Sequence, residues 1–185
     1  MTSYSSIITI LSILLMFPCI TTQLYVAQSW DNKITYDKLK DLCSNTQNSS
    51  FCFQTLKSNP RIATTNLRDL AEYTINLTSD SAQQTLPIVK LLAQQATDPQ
   101  LNARYTSCVA SYDTATGYIA TLMGSLGNGD YHSVLVDATL VMLNVGDCEQ
   151  QFNTPPGDPS QLPERNRNLF NLASIVAEIA LELLG

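Results

Sequence analysis

Charge is scarce in this sequence. Only 14% of its 185 residues are Asp, Glu, Lys or Arg, and the ten basic side chains never gather into a cluster. That argues against nucleic acid and anionic membrane surfaces as partners. There is one histidine, His132, and no C-x-x-C pair. A zinc site or a thiol-disulfide redox centre has little to be built from. Neither G-x-S-x-G, H-E-x-x-H nor a P-loop occurs, and no acid pair stands in a pattern suited to general acid-base work. No catalytic residue, metal or cofactor is therefore assigned. Alternating Val/Ile/Thr runs are missing as well, which leaves little signal for strands. Seven Gly and eight Pro are too few for a disordered or fibrous chain.

Apolar residues make up 44% of the chain, enough for the core of one domain. The net charge of −6 is unevenly placed. Residues 31–97 carry seven basic and six acidic side chains, whereas 98–185 carry three basic and ten acidic. The acidic half is a solvated surface or a face suited to a basic partner. Residues 1–30 have no charged side chain, and Ile7 to Ile20 is mostly apolar before Thr21-Thr22-Gln23. That run is short for a membrane span and fits a cleaved signal peptide over residues 1–22. The expected product is secreted, with no membrane anchor. Removal of Cys19 leaves Cys43, Cys52, Cys108 and Cys148, an even set that implies disulfides in an oxidising compartment. Two acceptor sequons, at Asn48 and Asn76, agree with secretion.

Helical periodicity recurs four times. Asp98-Pro99 reads as a cap followed by Pro at the first helical position. Leu101, Tyr105, Cys108, Tyr112, Ala115, Ile119, Leu122 and Leu126 then form one seam, stopped by Gly127-Asn128-Gly129. Asp130 caps the next helix, whose seam runs Tyr131, Val134, Ala138, Val141, Val145, Cys148, Phe152. A Pro-rich break over 154–159 precedes a last helix from about Pro163 to Leu184. The first long helix is expected from Asn59-Pro60 to about Ala96, on Ala63, Leu67, Leu70, Leu77, Ile88, Leu91 and Leu92. Pro87 inside it predicts a bend or two helices in series. The expected fold is all-α: an up-down-up-down four-helix bundle over 59–184. A short N-terminal helical hairpin over 31–58 precedes it, with helices near 33–42 and 51–57.

Three disulfide pairings are possible for four cysteines. Cys108 and Cys148 each lie 20 residues from Asn128, on the seams of two helices that meet at that turn. Antiparallel packing brings them level, so they pair, leaving Cys43 with Cys52. In the chain-entropy model the local loop contributes about 2.7 kcal/mol and the longer one about 3.9 kcal/mol.

The segments DLCSNTQNSSFCFQTLKSNPR, QQATDPQLNARYTSCVASYDTA, GNGDY, CEQQF and PPGDPSQL resemble those of the plant secreted inhibitors of pectin methylesterase and invertase. The resemblance spans about residues 30–184 and implies an inhibitor, not an enzyme. Its expected mode is a stoichiometric, non-covalent complex with a carbohydrate-active enzyme of the cell wall or vacuole. In the invertase branch, Pro-Lys-Phe commonly follows the Gly-Asp that opens the third bundle helix. Here Tyr131-His132-Ser133 stands there, so the resemblance favours pectin methylesterase, with acid invertase as the alternative. A bundle that binds a ligand or serves the wall without inhibiting is the third reading. The family's second and third bundle helices cover the pectin cleft, which implies Asp113, Asp130, Tyr131, Asp137 and Asp147 as partner-binding residues. Fruit inhibitors often carry carboxylates soon after the third cysteine and Thr before the fourth. This chain has Val109, Ala110 and Thr114 after Cys108, and Asp147 before Cys148.

Overall fold

The computed structural model describes residues 33–185; the expected leader, residues 1–22, lies outside the described residues. Two short helices come first, α1 (Tyr36–Ser44) and α2 (Ser49–Lys57). Each starts at a side-chain cap. Thr35 Oγ1 accepts from the Lys38 amide at 3.1 Å and Asn48 Oδ1 from the Phe51 amide at 3.1 Å. The first helix is shifted from the expected 33–42 and so takes in Cys43; the second starts two residues before the expected 51–57, which already held Cys52. Their Cα atoms are 5.5 Å apart and their sulfurs are bonded.

Four long helices follow: α3 (Leu67–Gln95), α4 (Pro99–Gly127), α5 (Tyr131–Gln150) and α6 (Leu162–Leu184). Each packs against its neighbours in sequence, α3 also packs on α6, and α3 and α5 lie on the diagonal. This is the up-down-up-down bundle, with the hairpin docked on α6. Among the described residues there is no strand, and no helix is long and apolar enough to cross a membrane.

The first bundle helix departs from expectation at its start. Asn59 Oδ1 accepts from the Arg61 amide at 2.9 Å and builds only a local turn, followed by a single 3-10 turn at Ile62–Thr64. Thr65 is extended, and its carbonyl accepts from the Ile34 amide at 2.9 Å. The helix begins after this crossing, where Asn66 Oδ1 accepts from the Asp69 amide at 2.9 Å. The bundle therefore starts at Leu67 and not at Asn59. Nor does Pro87 divide α3 into two helices; the helix runs through it. Pro87 is exposed, as is Gln83 one turn back, so the carbonyl left without its amide partner lies on the watered side.

The buried line of α3 also differs from the expected leucines. It keeps Leu70 and then runs through Thr74, Thr78, Ala82, Thr85, Val89 and Ala93, with Ala71 and Ile75 buried beside it, whereas Leu91 is 49% exposed. The three threonines enter the core because each hydroxyl donates within its own helix: Thr74 to the Leu70 carbonyl (2.8 Å), Thr78 to Thr74 (2.8 Å) and Thr85 to Ser81 (2.7 Å). Their methyl groups then pack as small aliphatic ones.

Opposite them, α4 buries Tyr105, Cys108, Tyr112, Ala115, Ile119, Leu122 and Leu126. α5 buries Val134, Ala138, Val141, Val145 and Cys148. The Cys108 and Cys148 sulfurs are bonded, with Cα atoms 4.6 Å apart. Beside this bridge lies a buried polar chain. The Tyr112 hydroxyl donates to Asn166 Oδ1 at 2.7 Å, and Asn166 Nδ2 donates to Cys148 Sγ at 3.4 Å. Burial pushes the Tyr112 phenol well above its ordinary range, although Arg165 nearby acts the other way. Three helices thus meet at one point through groups that would be costly to bury alone.

Candidate partner-binding face

The side of the bundle formed by α4 and α5 is set by its two ends. At one end α4 closes on Asn128, and Gly129 takes φ +73, a conformation that a side chain strains. Asp130 then caps α5, its Oδ1 accepting from the Ser133 amide at 3.1 Å. The Ser133 hydroxyl and amide, with His132 beside them, hold the Asp130 carboxyl below the usual carboxylate range. At the other end the α5–α6 loop is clamped onto α4. The Arg104 guanidinium donates to the Thr154 carbonyl (2.7 Å), the Thr154 hydroxyl (3.2 Å) and the Pro155 carbonyl (3.2 Å), and also reaches the Pro156 carbonyl. Tyr105 donates to Asp158 Oδ1 at 2.6 Å, and its ring packs against that of Phe152, tilted by 45° with ring centres 5.3 Å apart. Burial, reinforced by Asp158, pushes the Tyr105 phenol up to about 12.

Between these ends the outward stripe of α5 is His132, Val136, Leu140, Leu143 and Asp147, at helical spacing on the side away from the core seam. Val136 is 41% exposed and Leu143 59% exposed; Leu140 is half-buried. α4 lays exposed small residues alongside: Ala110, Thr114, Gly117 and Thr121. No Lys or Arg occurs in α5, and the only one in α4 is Arg104, which holds the loop. The result is a low surface with an aliphatic ridge and acidic flanks, a form suited to burial under a partner.

The five implied partner residues do not form one cluster. Asp137 bridges the two helices, accepting from Thr121 Oγ1 at 2.6 Å, and Asp147 lies exposed on the outward stripe. Asp130 and Tyr131 stand at the turn end, about 25 Å along the helix from Asp147, and Tyr131 is half-buried against the core. Asp113 lies on the α3 flank of α4, paired with Lys90 at 3.1 Å. The sequence reading missed Val136, Leu140 and Leu143. The signal for them is that α5 carries apolar residues on both faces, of which the inner seam alone matches a core pattern. Among the described residues no group of three His, Cys, Asp or Glu side chains gathers as metal ligands would.

The two sequon asparagines lie off this face. Asn48 is exposed at the start of α2, and Asn76 is exposed on α3, diagonal to α5.

Comparisons with known proteins point the same way. The family profile for plant invertase/pectin methylesterase inhibitors matches residues 37–179. A pectinesterase inhibitor from Actinidia deliciosa is 36% identical over 147 residues, covering 80% of each chain. Pectinesterase inhibitor 2 from Arabidopsis thaliana is 30% identical over 142 residues, covering 77% of this chain and 82% of that one. A crystal structure of a mutant form of a pectin methylesterase inhibitor from Arabidopsis superposes with a TM-score of 0.72 at 25% identity, over 78% of this chain and 95% of that one. Two hairpin helices, a four-helix bundle and a matching sequence over most of the described residues have one common origin: the chain belongs to the plant invertase/pectin methylesterase inhibitor family.

Proposed function

We propose that the protein is a secreted inhibitor of pectin methylesterase in the cell wall. It binds the enzyme one to one and non-covalently, laying the α4–α5 face over the pectin-binding cleft. The likeness to two proteins named pectinesterase inhibitors, at 36% and 30% identity, carries the target. Tyr131-His132-Ser133 in place of Pro-Lys-Phe supports pectin methylesterase over acid invertase. The aliphatic ridge of Val136, Leu140 and Leu143 supplies the desolvated centre, and Asp137 and Asp147 supply charge around it. A stoichiometric inhibitor needs such a centre, since rim charges mainly steer the encounter.

The test is a paired titration of the oxidised protein against a plant pectin methylesterase and an acid invertase. Loss of pectin methylesterase activity near one-to-one, with invertase untouched, is the expected result. Loss of invertase activity alone would transfer the reading to the other target, and no effect on either would leave a bundle that does not inhibit.

A further inference from the structure

Where the hairpin joins the bundle there is a polar cleft of about 250 Å³. Asn59, Arg61, Asp69, Glu72, Tyr73 and Asn76 line it. Tyr73 is half-buried there, and its hydroxyl is tied to Ser58 Oγ at 3.1 Å. Asn76 lies one turn further along α3. Helical side chains lean toward the N-terminus, so Asn76 reaches back over Glu72 and Tyr73. It is exposed and starts the sequon Asn76-Leu77-Thr78. A lining that combines one aromatic side chain with carboxylates, a guanidinium and amides suits a pyranose ring, which offers one apolar face and a rim of hydroxyls.

We propose that Asn76 carries an N-linked glycan whose first N-acetylglucosamine seats in this cleft. There it spans α3 and the 3-10 connector, Ile62–Thr64. The inference rests on the reading that the chain is secreted. In the transfer, Asn76 Nδ2 forms a bond to the anomeric carbon of an oligosaccharide carried on a lipid diphosphate. The bond from that carbon to the diphosphate oxygen breaks, the lipid diphosphate leaves with the electron pair, and the amide gives up one proton. Thr78 is buried in the folded helix and donates to the Thr74 carbonyl, so transfer precedes folding. The sugar occupies α3, diagonal to α5, and leaves the α4–α5 face uncovered.

The experiment uses the full chain in a Ser50→Ala background, which removes the Asn48 sequon and keeps the Asn48 cap. It is expressed on its own and behind an independent secretion leader, with high-mannose glycans retained. Peptide mass spectrometry reads occupancy at Asn76. Endoglycosidase H then leaves a single N-acetylglucosamine, and this form is compared with Asn76→Gln. The expected result is an occupied Asn76, with Tm higher by about 2–4 °C in the single-sugar form and slower amide exchange over residues 61–66. A bare Asn76 in the leader-fused chain would overturn the site. Equal Tm and equal exchange in the two forms would overturn the seating. A bare Asn76 only in the chain without the added leader would count against secretion and leave the site standing.

Discussion

The two sides of this bundle are made from opposite materials. On the α3 side, Arg61, Arg68 and Lys90 mix with Asp69, Glu72 and Asp80. The cleft there is polar, and one of the two sequons lies on it. On the α4–α5 side the outer surface is aliphatic and small, its charges are acidic, and its single Arg is engaged in holding a loop. Both sides share one interior. The difference shows how a small bundle can hold its fold from within. With the Cys108–Cys148 bridge and the Tyr112–Asn166 pair inside, α4 and α5 do not need charged pairs on the outer face to stay together. That face is left free for a partner.

Six variants test the contrast, from the largest expected effect to the smallest. Replacing Cys108 and Cys148 with Ser should lower the unfolding free energy by about 3.9 kcal/mol, against about 2.7 kcal/mol for the Cys43 and Cys52 pair. Denaturant melts of the two double variants measure the gap, and equal losses would show that the longer bridge has no special weight. Next, Leu143→Asp should raise the inhibition constant against pectin methylesterase by at least 30-fold, about 2 kcal/mol, with an unchanged melt. An α3-side change, Asp80→Asn, should leave inhibition as it is; the reverse pattern would move the interface to α3.

Tyr112→Phe leaves a buried Asn166 oxygen without its donor and should destabilise by about 1–3 kcal/mol, again without altering inhibition of the folded protein. The smallest effect belongs to pH. Tyr105 is raised from 10.0 to about 12, so the folded state keeps its proton where the unfolded chain loses it. Its contribution is complete below pH 10 and is lost as pH rises from 10 through 12. Tyr105→Phe should flatten stability over that window in alkaline melts; an unchanged slope would discount the Tyr105–Asp158 bond.

Much of this architecture is written locally. Asp98-Pro99 and Gly127-Asn128-Gly129-Asp130 mark the ends of α4 and the start of α5 because caps and turns depend on adjacent residues. The level of Cys108 and Cys148 follows from counting along two antiparallel helices. The α3 seam was hidden because Thr74, Thr78 and Thr85 read as polar until their own helix satisfies the hydroxyls. Asn59-Pro60 imitates a helix start, and only the pairing of Thr65 with Ile34, distant in sequence, shows where the chain turns. The face was half legible. Its acids are visible in the sequence, but that Asp113 is taken up by Lys90 depends on how α3 meets α4. The ridge of Val136, Leu140 and Leu143 stays concealed in a helix that carries apolar residues on its outer face as well as its inner one.

The central claim is that α4 and α5 carry the partner, and amide hydrogen exchange tests it directly. The protein would be measured alone and saturated with pectin methylesterase. Added protection is expected in α4 and α5 around Gly117–Thr121 and Val136–Asp147, with α1, α2 and α3 unchanged. Protection confined to the hairpin or α3, with α4 and α5 exchanging as before, would contradict it.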